Sequence, residues 1–82
     1  MAMFIGIHEF PEGITDEDVQ KSWEAYKASA LKTGIKALNA VSNSKKRKAF
    51  CYTEADSEEQ VRKAHADAHV EVKDVIEVAQ LK

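Results

Sequence analysis

The chain has 82 residues, 44% of them hydrophobic and 32% charged, with a net charge of −2. This is one domain's worth of ordinary globular composition; it excludes a disordered chain, and the mild acidity argues against a dedicated nucleic-acid binder. Cys51 is the only cysteine, so no disulfide can form within the chain, and a reducing, cytoplasmic setting is expected.

No run approaches the roughly 18 apolar residues that a membrane helix needs, so no membrane partner is expected. The opening stretch Met1 to Phe10 is interrupted by Gly6, His8 and Glu9 and lacks the basic flank and small-residue cleavage site of a leader. No linker, repeat or low-complexity tract divides residues 1–82, which read as a single domain. A domain this small buries only about 60–65% of its unfolded surface, so a partner subunit or a metal would add needed stability.

In chain order, Met3 to Phe10 predicts a strand. Phe4, Gly6, His8 and Phe10 share one face, and Met3, Ile5, Ile7 and Glu9 the other. Both faces are largely apolar, which places this strand inside a sheet. Pro11-Glu12-Gly13 is turn material. Thr15 can cap a helix whose first turn carries Asp16, Glu17 and Asp18, and Val19, Trp23, Tyr26 and Ala30 recur at helical spacing as its buried stripe. Gly34 is the stop. Ile35 to Ser42 and Ala49 to Glu54 predict two strands joined as a hairpin by Asn43-Ser44-Lys45-Lys46. Ser57 and Gln60 have the spacing of a capping box, and the helix behind them presents Val61, Ala64, His65 and Ala68. The later half of Val70 to Leu81 alternates as a closing strand.

The order β-α-β-β-α-β predicts an α+β, ferredoxin-like fold of the dimeric α+β barrel type: a four-stranded antiparallel sheet with both helices on one face. No element is left to cover the other face. An apolar sheet face without cover predicts a homodimer.

Three histidines, His8, His65 and His69, carry the sharpest chemical possibility. His65 and His69 stand four residues apart on the second predicted helix and would rise from one face, where two imidazoles can grip one ion. His8 lies in a central strand, with Cys51, Glu54 and Glu77 on the neighbouring strands as further ligands or supporting groups; imidazoles with carboxylates suit zinc, nickel, copper or iron. The plainer alternative is that His65 is a hydrogen-bonded core residue and His69 a solvent-facing residue near a helix end. Cys51 reads as a small buried residue before it reads as a nucleophile, and Glu54 and Glu77 as exposed strand carboxylates before an acid and base. Trp23 and Tyr26 belong to the core or wall a pocket between helix and sheet. Lys45-Lys46-Arg47-Lys48 is a solvated turn, with no aromatic residues interleaved for nucleic acid.

His8-Glu9, the Thr15-to-Val19 helix start, Gly34, Phe50-Cys51-Tyr52-Thr53-Glu54-Ala55, the helix with His65 and Ala68-His69, and Val75-Ile76-Glu77-Val78 together resemble one family across nearly the whole chain. It is the set of small bacterial and archaeal proteins known as domain of unknown function 4242, which includes nickel-binding members. The resemblance implies a ferredoxin-like homodimer with a transition-metal site, and His8, Cys51, Glu54, His65, His69 and Glu77 match its recurrent polar positions. This chain departs from the pattern at Trp23, where many relatives have a histidine, at Tyr26, where they have an acidic residue, and at Val70, where a glycine often stands.

Three functional readings follow from the residues. The first is a homodimeric binding protein for nickel or zinc. The second is a small enzyme or ligand-binding protein with His8 or His65 in a pocket lined by Trp23 and Tyr26. The third is an interaction module with a solid core.

Overall fold

The computed structural model describes residues 1–81. Six elements follow one another: β1 (Ala2–Glu9), α1 (Asp16–Thr33), β2 (Lys36–Asn43), β3 (Lys48–Ala55), α2 (Glu58–Asp67) and β4 (Asp74–Val78). The four strands form one sheet in the order β2-β3-β1-β4, and every neighbouring pair is antiparallel. This is the ferredoxin-like α+β architecture that the element order predicts.

Local chemistry explains where each element begins and ends. Thr15 Oγ1 accepts from the Asp18 N–H and the Asp18 carboxylate accepts from the Thr15 N–H, so two free amides at the start of α1 are satisfied reciprocally. Gly34 ends α1 in the left-handed conformation, φ 80°. At α2 the box is opened by one residue. Ser57 Oγ accepts from the Gln60 N–H as expected, but the Gln60 side chain accepts from the N–H of Asp56 rather than of Ser57. The basic turn is solvated, with Lys45, Lys46, Arg47 and Lys48 all exposed.

β1 is central, paired with β3 on one side and β4 on the other. Its register sorts the two faces. Phe4, Gly6 and His8 point under the helices, opposite Thr53, Cys51 and Ala49 of β3. Met3, Ile5 and Ile7 point to the open face, opposite Glu54, Tyr52 and Phe50. In β2 the register slips between Ala37 and Asn39, so that Leu38 is the extra residue of a bulge. The core lies between helices and sheet and is built on Phe4, Tyr26, Ala30, Ile35, Cys51, Ala55, Val61, Ala64 and Val75. The open face carries half-buried Ile5, Ile7, Phe50 and Tyr52 and exposed Val41 and Ile76.

Candidate metal centre

His8, Cys51 and His65 meet under the helices, each offering one ligand atom within 4.8 Å of the others. All are deeply buried, with exposures of 6%, 2% and 1%. The sheet register delivers the first two, since Cys51 lies opposite Gly6, one inward-facing position from His8. α2 delivers the third.

Each imidazole is held at Nδ1 by a backbone carbonyl. His8 Nδ1–H donates to the Glu71 carbonyl at 2.8 Å, and His65 Nδ1–H donates to the Val61 carbonyl, one helical turn back, also at 2.8 Å. Those bonds fix the tautomer: Nε2 of each neutral ring keeps its lone pair. The His65 Nε2 accepts from the Cys51 thiol at 3.6 Å. The Tyr26 ring stacks on His65 at 3.9 Å between centroids, and its hydroxyl is bonded to Thr53 Oγ1 at 2.6 Å, which locks the stack from behind. The two histidine rings are 5.1 Å apart.

Burial sets the charge state of the cluster. It holds His65 down to about 4, with the facing His8 and Arg62 adding to the effect against the opposing Val61 hydrogen bond. Burial likewise lowers His8 and pushes the Cys51 thiol up to about 11. At neutral pH both rings are therefore uncharged and the thiol carries its proton. A nucleophilic cysteine needs a lowered pKa, so this environment speaks against Cys51 as a free nucleophile. An ion has to displace the thiol proton.

Gly6 makes the cluster possible, and residue-type reasoning passed it over. A Cβ at this position would stand 2.6 Å from Cys51 Sγ and 3.5 Å from both His65 Cε1 and Val72 Cγ2. A glycine in the middle of an otherwise β-favouring strand was the available signal, since it marks close approach over the backbone.

The remaining expected ligands lie elsewhere. His65 and His69 do not share a helical face, because α2 ends at Asp67 and His69 is left-handed, φ 57°. The Val70 N–H donates to the His65 carbonyl and the His69 N–H to the Ala66 carbonyl, the two bonds of a Schellman stop with His69 where glycine is usual. His69 is consequently exposed. Glu54 pairs with Met3 and so faces the open side of the sheet, across from the cluster. Glu77 pairs with Phe4, two inward-facing positions from His8 along β1, and is exposed on an edge strand.

Trp23 and Tyr26 do line a cavity. A space of about 100 Å³ lies between α1 and the sheet, with Val19, Trp23 and Tyr26 on the helix side and Phe10 and Ala49 among the residues opposite. His8 and Cys51 form part of its wall.

Comparison with known proteins fits this arrangement. A family model described as nickel-responsive protein SCO4226-like matches residues 4–78. The chain belongs to this SCO4226-like family. The name domain of unknown function 4242, to which the sequence motifs pointed, is compatible with that membership. The crystal structure of SCO4226 from Streptomyces coelicolor A3(2) superposes with a TM-score of 0.88 at 22% identity, covering 99% of this chain and 100% of that one. At that identity the likeness establishes the fold. No curated protein matches the chain.

The donor chemistry fits a transition ion of the kind the family name implies. Two neutral imidazole nitrogens and one sulfur are borderline-to-soft ligands, suited to nickel, zinc or copper and not to magnesium or calcium. A tetrahedral site with metal–sulfur and metal–nitrogen bonds of about 2.3 and 2.0 Å has a sulfur–nitrogen edge of about 3.5 Å, close to the 3.6 Å between Cys51 Sγ and His65 Nε2.

Proposed function

We propose that this protein binds a divalent transition-metal ion, nickel or zinc, on His8 Nε2, His65 Nε2 and Cys51 Sγ. The supporting observation is the carbonyl anchoring of both rings at Nδ1, which leaves Nε2 of each free, with that of His65 already against the sulfur before any ion arrives. Such outer hydrogen bonds orient metal-binding histidines and raise their basicity. Bound there, the ion would supply a Lewis-acidic, thiolate-ligated centre whose binding releases the Cys51 proton. The family description, nickel-responsive, favours nickel over zinc. The seat is narrower than the residue types suggested: His69, Glu54 and Glu77 are outside it, and Trp23 and Tyr26 support it as wall and stacking partner.

The reading includes a homodimer joined through the open sheet face, where Ile5, Ile7, Phe50, Tyr52 and Ile76 form an apolar surface with no cover from the chain's own described residues.

Titration of untagged protein with nickel and with zinc, read by calorimetry and by thiolate-to-nickel charge-transfer absorption, tests the seat. Near-stoichiometric uptake is expected. It should be lost in His8→Ala and His65→Ala and unchanged in His69→Ala, and the charge-transfer band should vanish in Cys51→Ser. Uptake that survives His8→Ala and His65→Ala, or that His69→Ala abolishes, removes this site. Light scattering of wild type and Ile5→Glu tests the dimer, whose mass should halve in the variant.

A further inference from the structure

The cavity beside the cluster has a chemistry of its own. Its buried and half-buried walls are mostly apolar and aromatic, with Phe10, Val19, Trp23, Tyr26 and Ala49, while Asp16, Gln20 and Ser42 are exposed and Ser22 half-buried in its lining; among the buried groups one strong acceptor borders it. His8 is 94% withdrawn from solvent by its exposure of 6%. Its Nδ1–H is spent on the Glu71 carbonyl, and its Nε2 has no hydrogen-bond partner among the described residues. No buried side-chain nitrogen or oxygen there is both sealed and unpartnered, so this nitrogen is open to the space it borders. The other buried polar groups of the lining are already committed: the Tyr26 hydroxyl to Thr53, and the Cys51 thiol to His65. A buried acceptor left unmatched costs free energy that a donor-bearing guest would recover.

We propose that this cavity binds a small, neutral, planar molecule with one N–H or O–H donor, of the size of a five-membered azole, its ring against Trp23 and Phe10 and its donor on His8 Nε2. Size sets the class. An apolar cavity of about 150 Å³ is enough to take up benzene, and this one, at about 100 Å³, suits a slightly smaller ring. Charge sets it further, because the buried part offers an ion no partner of opposite sign, which is costly, and the one carboxylate of the lining, Asp16, is exposed to solvent. Donor count follows from the single open acceptor among the buried lining residues. The ligand site stands on the cavity and on the Nδ1 anchoring of His8, not on the ion seat, although the two share His8 Nε2 and so exclude one another at that atom.

The test uses chelator-treated, metal-free protein, so that failure of the metal reading leaves it untouched. Trp23 is the sole tryptophan and lines the cavity, so its fluorescence reports occupancy directly. Pyrazole is expected to give a saturable change. N-methylpyrazole, which keeps the ring and loses the donor, should bind at least tenfold more weakly. Ala40 lines the cavity from β2 and is exposed at its rim, so Ala40→Leu fills the space with little risk to folding and should abolish the change while leaving the circular dichroism spectrum intact. Three outcomes overturn the proposal: no saturable response to pyrazole, equal binding of the methylated ring, or undiminished binding in folded Ala40→Leu.

Discussion

Replacing Gly6 by alanine sets two known effects against each other, and the structure says which wins. Gly6 is an interior residue of β1 and is not among the glycines with positive φ. An alanine there would ordinarily be favourable by about 0.5–1 kcal/mol, because the unfolded chain loses freedom. The new Cβ, however, would lie 2.6 Å from Cys51 Sγ. Ordinary contact needs about 3.5–4.0 Å, so the sulfur must retreat by roughly 1 Å. Apart from the cavity whose wall it forms, it has little room. The strand below it is held on both sides by β3 and β4, and His65 stands against it at 3.6 Å. Overpacking of this kind costs about 1–3 kcal/mol. The net expectation is a loss of about 1–2 kcal/mol, which for a domain of this length lowers the melting temperature by roughly 5–15 °C. Urea unfolding of four proteins, wild type, Gly6→Ala, Cys51→Ala and the double variant, isolates the contact. With the sulfur removed the alanine should cost little or turn stabilising, so the two substitutions should be strongly non-additive. Additive costs, or a Gly6→Ala protein more stable than wild type, would refute the argument.

The other predictions address the same cluster and its surroundings. Folded His65 titrates at about 4 against an ordinary 6.5, so as pH falls the unfolded chain takes up the proton first. Stability is therefore full above about pH 6.5 and is lost through the window down to about pH 4; integrating the shift gives a loss of about 2 kcal/mol between pH 7 and pH 5. His8 adds in the same direction. Urea midpoints of metal-free protein at the two pH values should show this slope, and His65→Gln should flatten it. His69→Gly removes a left-handed conformation from a side-chain-bearing residue and should raise stability by up to about 1 kcal/mol, measured by thermal melting, with metal uptake unchanged. Tyr26→Phe keeps the stack on His65 but strands the buried Thr53 hydroxyl, a cost of about 1–2 kcal/mol in denaturant unfolding.

Local signals in the sequence carried the fold a long way because each acts over a few residues. The two-residue alternation of Phe4, Gly6 and His8 against Met3, Ile5 and Ile7 set the faces of β1. Thr15 and Asp18 set the start of α1, and Gly34 its end. Where reasoning by spacing failed, a longer-range event intervened. The separation of His65 and His69 predicts one helical face only if the helix runs through both, and α2 stops before His69 in a Schellman turn. No glycine marks that stop, so the signal that identifies such turns was missing.

The sequence alone determined that this chain forms a four-stranded sheet under two helices and that imidazole, thiol and carboxylate are its metal-capable groups. Only the tertiary structure decided which of them meet. Strand pairing places Cys51 beside Gly6, the packing of α2 drops His65 into the gap that glycine leaves, and the Glu71 and Val61 carbonyls turn both rings. Those contacts join positions far apart in the chain, and no periodicity along a sequence records which carbonyl will face which ring.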